Sequence, residues 1–414
     1  MSLHVQDPAV HKIIQEELHR QQTTVNLIAS ENYASEAVME ATGSVLTNKY
    51  SEGYPKKRYY QGNANADDIE LLAIERAKEL FGAAHANVQA LSGSPANAAI
   101  FGAFLEPGDT FLGFTLTGGG HLTHGSHVNF SGKIYSPVHY EVDKETGLID
   151  MEAVRALAKE HKPKMIISGF TAYTRVVDFK AFQEIAEEVG AIHLADISHI
   201  GGLVAGGVHP SPFPFTDVVM TTTHKTLRGP RGALIMCKEE HAKAIDKAIF
   251  PGYQGGPHDN VTAAKAVAFG EALKPEFKAY SAQIVKNAQA LAKSLKDNGI
   301  KILTDGTDNH MVILDLCPIG VSLGRPGAVA LENAGIITNC NTVPFEPGSP
   351  FKPSGIRIGT AMMTTRGMRE PEMEQIGKWM ASILQDMDNT ALQAQVKGEV
   401  AALCTRFPVY EGLG

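Results

Sequence analysis

Val218-Val219-Met220-Thr221-Thr222-Thr223-His224-Lys225-Thr226-Leu227-Arg228-Gly229-Pro230-Arg231-Gly232 leads directly into Ala233-Leu234-Ile235-Met236-Cys237. Two short apolar, β-branched runs flank a polar loop, which predicts strand, loop and strand with Lys225 on the loop. Arg228, Arg231 and His224 nearby disfavour an ammonium at Lys225, which inclines its amine toward attack on a carbonyl. The competing description is a surface loop of solvated cations, and this window alone does not choose between them.

Outward from the loop the pattern alternates. Residues 165–169 predict a strand, 179–189 a helix, 191–195 a strand, and then come 218–220 and 233–237. Such alternation predicts an open, largely parallel α/β sheet with ligands at the carboxyl ends of its strands. Asp196 ends one apolar strand and His199 follows three residues later. An acid there is placed to pair with a cation on a ligand, or to cap the next turn. Residues 90–97, Ala-Leu-Ser-Gly-Ser-Pro-Ala-Asn, follow a short strand at 86–88 and open an apolar helix over 98–105. Small residues at a helix start leave N–H groups accessible to an anion, although an ordinary serine cap accounts for the same letters.

A strand at 110–114 runs into a glycine-rich segment carrying His121, His124 and His127. The glycines break any continuous helix, and no neighbouring carboxylate or cysteine completes a zinc set, so no metal is expected. A histidine beside such a loop suits a flat ring lying over another flat group. Residues 47–63 hold Tyr50, Tyr54, Tyr59 and Tyr60 in a polar stretch without apolar periodicity, as for a loop lining a site or an interface. Helices are predicted at 8–22, from about residue 35, and at 67–81. Beyond a glycine loop at 250–258 and a helix-rich region at 261–298, strands near 301–303, 311–316 and 336–338 form a smaller α+β pattern. Two domains are expected, 1–275 and 276–414. Arg357 lies in an otherwise uncharged strand at 354–360, and a buried guanidinium calls for a carboxylate from protein or ligand.

Composition bounds the class. The chain has 414 residues and a net charge of -8 without a basic tract, which argues against nucleic acid or an anionic membrane as partner. No apolar run approaches the ~20 residues of a membrane span. The first 22 residues mix both charge signs and lack the apolar core of a signal peptide, so a cytoplasmic protein is expected. Its 4 cysteines are widely separated and read as reduced thiols.

A nucleophilic lysine, an acid at a strand end, a Ser-Gly-Ser anion cradle, a stacking histidine and an arginine awaiting a carboxylate together match what pyridoxal phosphate and an amino-acid substrate require. At these residues the sequence closely resembles the serine hydroxymethyltransferases, fold-type I pyridoxal phosphate enzymes. Leu27-Ile28-Ala29-Ser30-Glu31-Asn32, residues 46–55, His121 to Ser126, Thr221 to Gly232 and Arg357 to Thr360 carry the resemblance across nearly the whole chain.

The resemblance implies Lys225 as the cofactor's Schiff-base lysine, Asp196 on the ring nitrogen, His199 by the ring hydroxyl and His121 stacked on the ring, with Thr171 close by. It assigns Ser92, Gly93, Ser94 and His224 to the cofactor's phosphate and Thr222 to the cofactor, with Tyr50 and Gly256 from a second subunit, hence a homodimer whose pairing into tetramers stays open. Ser30 and Arg357 would hold the substrate carboxylate. Glu52 would manage protons, Tyr59 and Tyr60 would lie alongside, and Leu116, Gly120, Asn341 and Phe351 would hold tetrahydrofolate, the co-substrate. The implied reaction is reversible transfer of serine's hydroxymethyl carbon to tetrahydrofolate, giving glycine. A folate-independent aldolase of β-hydroxy amino acids and a catalytically weak binding homologue are the alternatives. Departures from the family pattern fall at Gln61 to Asn65, Ser94-Pro95, Gly118, Thr171, Ser198, Gly201 and Cys340, and bear on cofactor affinity, the dimer contact and folate preference.

Overall fold

The computed structural model describes residues 3–349 and 351–413. It divides into two compact units, Ser30–Ala282 and a second made of Met1–Ala29 with Gln283–Gly414. The sequence places the division at 275/276 and assigns the first residues to the larger unit. The first residues join the second unit through Val25–Asn26, which pairs in parallel with Ile336–Ile337, a long-range pairing that local periodicity does not show.

The larger unit is built on seven strands: β1 (His85–Asn87), β2 (Thr110–Phe114), β3 (Ser136–Tyr140), β4 (Met165–Gly169), β5 (Ile192–Asp196), β6 (Val218–Thr222) and β7 (Ala233–Cys237). Their spatial order is β1-β7-β6-β5-β4-β2-β3. β3 through β6 are parallel to one another and to β2, whereas β7 runs antiparallel to both its neighbours. β4, β6 and β7 are buried at every position, and strands covered on both faces read as continuous apolar runs rather than alternations. The edge strand β3 keeps two exposed positions and carries a correspondingly weak signal.

Helices α1 (Ala64–Phe81), α2 (Gly93–Phe104), α3 (Met151–His161), α4 (Phe179–Val189), α5 (Asp259–Ala272) and α6 (Pro275–Asp297) accompany the sheet, and the division between units falls inside α6. α4 shows the local logic. The Asp178 side chain accepts from Ala181 N at its start, and Gly190 ends it at φ 70°, a left-handed turn that costs glycine little. α2 is apolar because it is pressed onto the sheet. Its Ala96, Ile100 and Phe101 share one cluster with Met165, Ile167, Leu194, Val218, Met220, Ala233 and Ile235, alternate residues on one face of four adjacent strands. Phe101 meets Phe111 edge to face at 4.8 Å, and each large side chain so buried contributes about 1.5–3 kcal/mol.

The second unit carries a four-stranded antiparallel sheet of β8 (Lys301–Ile302), β9 (Met311–Asp315), β10 (Asn339–Asn341) and β11 (Gly355–Gly359), in the order β8-β9-β11-β10. Among the described residues no helix is long and apolar enough to cross a membrane.

Candidate active site

Lys225 is positioned by a loop stapled to the turn that follows β5. Thr222 N donates to Ser198 Oγ at 3.2 Å, Thr222 Oγ1 to Ser198 O at 3.2 Å, and Thr226 Oγ1 to His199 O at 2.9 Å. Threonines on both sides of Lys225 are therefore pinned to the Asp196–His199 turn. Within the loop, Thr223 Oγ1 donates to Pro230 O and Arg228 N to Lys225 O, with Arg228 itself in the left-handed region at φ 60°. The Arg228 guanidinium lies over the Tyr280 ring at 4.8 Å rather than in open solvent. Asn32 Nδ2 donates to Lys225 O at 2.9 Å, tying the Ser30–Asn32 segment to the same loop.

His224 is depressed to about 3, first by burial and then by the charges of Lys225 and Arg231. Its neutral ring leaves Nδ1 buried without a hydrogen-bond partner, and a buried polar atom in that condition is costly unless a ligand meets it.

Asp196 is the last residue of β5 and is 5% exposed. Both functions open to it in the sequence are present, one on each oxygen. Oδ1 accepts from Ser198 N at 3.1 Å as a turn cap; Oδ2 takes Asn97 Nδ2 at 3.1 Å and His124 Nε2 at 3.2 Å. Burial alone would raise this carboxyl, but the hydrogen bond from His124, with His121 and Ser198, holds it well below the usual carboxylate range. His124 Nδ1 accepts from His121 N at 3.2 Å, so the neutral ring carries its proton on Nε2 and donates it to Asp196. Thr123 Oγ1 accepts from Asn97 Nδ2 at 2.8 Å and lies 2.8 Å from His121 Nδ1. His121 and His124 thus have separate tasks despite their regular spacing.

Ser92 starts α2 in extended backbone and makes no side-chain capping bond, so the serine-cap explanation does not describe this terminus. A Cβ on Gly93 would lie 2.9 Å from Thr222 Cγ2. The close approach brings the N-terminus of α2 against the end of β6, and a side chain at residue 93 would make the Thr222 methyl shift. Pro95 lies in the first turn, where a missing N–H breaks no helical bond, yet it removes one donor from the cradle.

The tyrosine-rich segment holds more structure than its aperiodicity predicts: a short helical turn at Val45–Asn48 and a two-residue hairpin, Gly53–Tyr54 with Lys57–Arg58. Tyr50 OH donates to Glu52 Oε1 at 3.0 Å, and the Tyr50 and Tyr60 rings meet edge to face at 5.2 Å. A Cβ on Gly256 would touch the Tyr50 ring at 3.0 Å, and one on Gly255 would lie 3.2 Å from Glu52 Oε1. Glu52 is the first cause raising the Tyr50 hydroxyl above its ordinary value. Tyr50, Tyr59 and Tyr60 are about half exposed or more, at 52%, 71% and 48%.

Thr171 N donates to Gly119 O at 2.7 Å, and Leu116, in the same glycine segment, is exposed. Gly120 is buried, and a Cβ there would lie 2.1 Å from Phe114 O. Arg357, Asn341 and Phe351 belong to the second unit. Arg357 is buried on β11 and donates from Nε and Nη2 to Asn339 Oδ1 at 3.3 and 3.2 Å; burial pulls it down to about 10. Phe351 is 90% exposed. Sequence inspection missed Asn97 and Thr123 and gave His124 no role. A polar Asn97 inside an otherwise apolar helix was the available signal.

Two comparisons bear on this arrangement. The family model described as Serine hydroxymethyltransferase matches residues 3–380. The chain is also 56% identical over 407 residues to the Serine hydroxymethyltransferase of Desulfotalea psychrophila (strain LSv54 / DSM 12343), covering 98% of this chain and 95% of that protein.

Proposed function

The chain belongs to the serine hydroxymethyltransferase family, and on that premise we infer that it is a pyridoxal-phosphate enzyme that moves the hydroxymethyl carbon of serine reversibly to tetrahydrofolate, giving glycine and methylenetetrahydrofolate. The match over residues 3–380 carries this conclusion. The site's chemistry fits the cofactor: a buried His224 Nδ1 without a partner, an uncapped helix start at a glycine packed closely on Thr222, and a buried acid held ionised. Bound there, pyridoxal phosphate supplies a ring that accepts the electron pair left when the hydroxymethyl carbon departs.

In this proposal Lys225 Nζ is the covalent attachment point. The Asp196 carboxylate, its charge stabilised by His124, Asn97 and Ser198, would hold the ring nitrogen and keep a proton on it. His121 would cover the ring face, His199 would serve the ring hydroxyl and Thr171 would bind nearby. Ser92, Gly93, Ser94 and His224 would hold the phosphate at the uncapped start of α2, and Thr222 would also bind the cofactor. Tyr50 donates to Glu52 Oε1, which leaves Oε2 to exchange a proton with the serine hydroxyl. Arg357 and Ser30 take the amino acid's carboxylate, Tyr60 lies alongside it, and Tyr59, Leu116, Gly120, Asn341 and Phe351 hold the pterin. Two copies share sites through Tyr50 and Gly256, in the cytoplasm. The exposure of the tyrosine cluster supports an assembly that covers it.

The decisive experiment adds glycine to the purified, cofactor-loaded protein with and without tetrahydrofolate and follows its visible spectrum. A yellow protein whose long-wavelength absorbance rises strongly only with folate is the expected result, with Lys225→Ala losing the covalent yellow colour. A colourless protein that cannot be reconstituted, or threonine cleavage with indifference to folate, overturns the assignment.

A further inference from the structure

The Arg58 side chain is only 3% exposed, and it lies beneath the segment that carries Glu52. Its Nη1 donates to Ser51 O and to Gly53 O, both at 2.8 Å, so one nitrogen holds the carbonyls immediately before and after Glu52. The other edge of the guanidinium is fixed by acids: Nε donates to Asp67 Oδ1 at 2.8 Å and Nη2 to Glu70 Oε2 at 2.6 Å. Glu70 Oε1 accepts from Gln89 Nε2, which also donates to Gly53 O at 2.9 Å. Ser51 Oγ donates to Asp259 Oδ1 at 2.7 Å, and Tyr59 N donates to Glu52 O at 3.0 Å.

The backbone around Glu52 needs this support. Gly53 sits at φ 98°, and a Cβ there would lie 2.5 Å from Lys57 O, so the chain bends sharply just after the acid. A planar fork with several donors can grip both carbonyls and both acids at once; a lysine ammonium is a point charge and cannot reproduce that geometry.

We propose that Arg58 is a positioning residue for the transfer reaction, setting the orientation of the Glu52 carboxylate by clamping the Ser51 and Gly53 carbonyls. This rests on the role given above to Glu52. Arg58 touches no reacting atom and acts only through that acid.

The test is a double-mutant cycle on cofactor-loaded enzyme. Arg58→Gln is the obvious variant. Arg58→Lys, which keeps a charge against Asp67 and Glu70, is the second, for use where the first does not fold. Either one lowers kcat for folate-dependent serine cleavage by about 100-fold, the penalty of a misplacement near 1 Å. The KM for serine and the visible spectrum at Lys225 stay close to wild type. In a Glu52→Gln background the same change costs less than about 3-fold, because the group it positions is already disabled. The proposal is overturned if Glu52→Gln is impaired while Arg58→Lys keeps wild-type kcat, or if the two losses multiply. A wild-type rate in Glu52→Gln itself overturns the role of Glu52 first, and the clamp with it.

Discussion

His124 Nε2 lies 3.2 Å from Asp196 Oδ2, with the ring fully buried and its Nδ1 already accepting from the His121 backbone N–H. The tautomer is therefore dictated from one side and delivered to the acid on the other. This two-sided constraint, with a second donor from Asn97 Nδ2, keeps a buried carboxylate ionised.

His124→Ala removes the largest of the effects that hold Asp196 down and leaves burial, which raises its carboxyl. The variant is expected to bind the cofactor more weakly and to lose about 1–3 kcal/mol of stability, the cost of a buried acceptor deprived of its donor. Spectroscopic cofactor titration and urea unfolding check both. In the wild type the contribution of Asp196 is fully present above its unfolded value near 4 and is lost as pH falls below it, because the folded state releases the proton more readily. Below about pH 4 the stability advantage of wild type over Asp196→Asn should therefore shrink.

His224 has its folded value at about 3, below the ordinary 6.5. The unfolded chain binds the extra proton across that interval, so the His224 contribution is present above pH 6.5 and lost as pH falls toward 3. His224→Gln should flatten the stability of the cofactor-free protein over this window, with a slope smaller by up to about 1.4 kcal/mol per pH unit. Parallel curves for the two proteins would contradict the assignment.

Lys265 is buried on α5 and donates to Val88 O at 2.6 Å and Ala90 O at 2.9 Å, yet burial lowers it to about 7 from 10.5, against the charge of Glu70. Between pH 7 and 10.5 the unfolded chain holds the proton more tightly. Wild-type stability should then rise with pH relative to Lys265→Met, gaining up to about 1.4 kcal/mol per pH unit in urea unfolding.

Pro95→Ala places an N–H in the first turn of α2 where none exists. One added hydrogen bond to a charged group contributes about 1.5–3 kcal/mol, so cofactor affinity is expected to tighten by about 10-fold or more. Equilibrium titration with pyridoxal phosphate is the check, and unchanged affinity would place the phosphate elsewhere.

The sheet was legible because its strands are buried on both faces and appear as unbroken apolar runs; β2 and β4 fall at the predicted residues, and β5 begins and ends one residue later than expected. β3 was not legible because an edge strand keeps polar positions. The aperiodic Tyr50–Tyr60 segment hid its hairpin, since two-residue strands give no period to detect.

By itself the sequence determined the α/β class, the loop bearing Lys225 and the strand end bearing Asp196, because apolar runs and the breaks between them are local properties. It also carried the family resemblance in its motifs. Only the tertiary structure decided which neighbours complete those groups: Asn97 and His124 on Asp196, the threonine staples around Lys225, the Arg58 fork under Glu52, and the pairing of Val25–Asn26 with Ile336–Ile337. Hydrogen bonds of this kind join residues from about 5 to over 300 positions apart. Their partners are set by how the sheet stacks its helices, which no window of sequence contains.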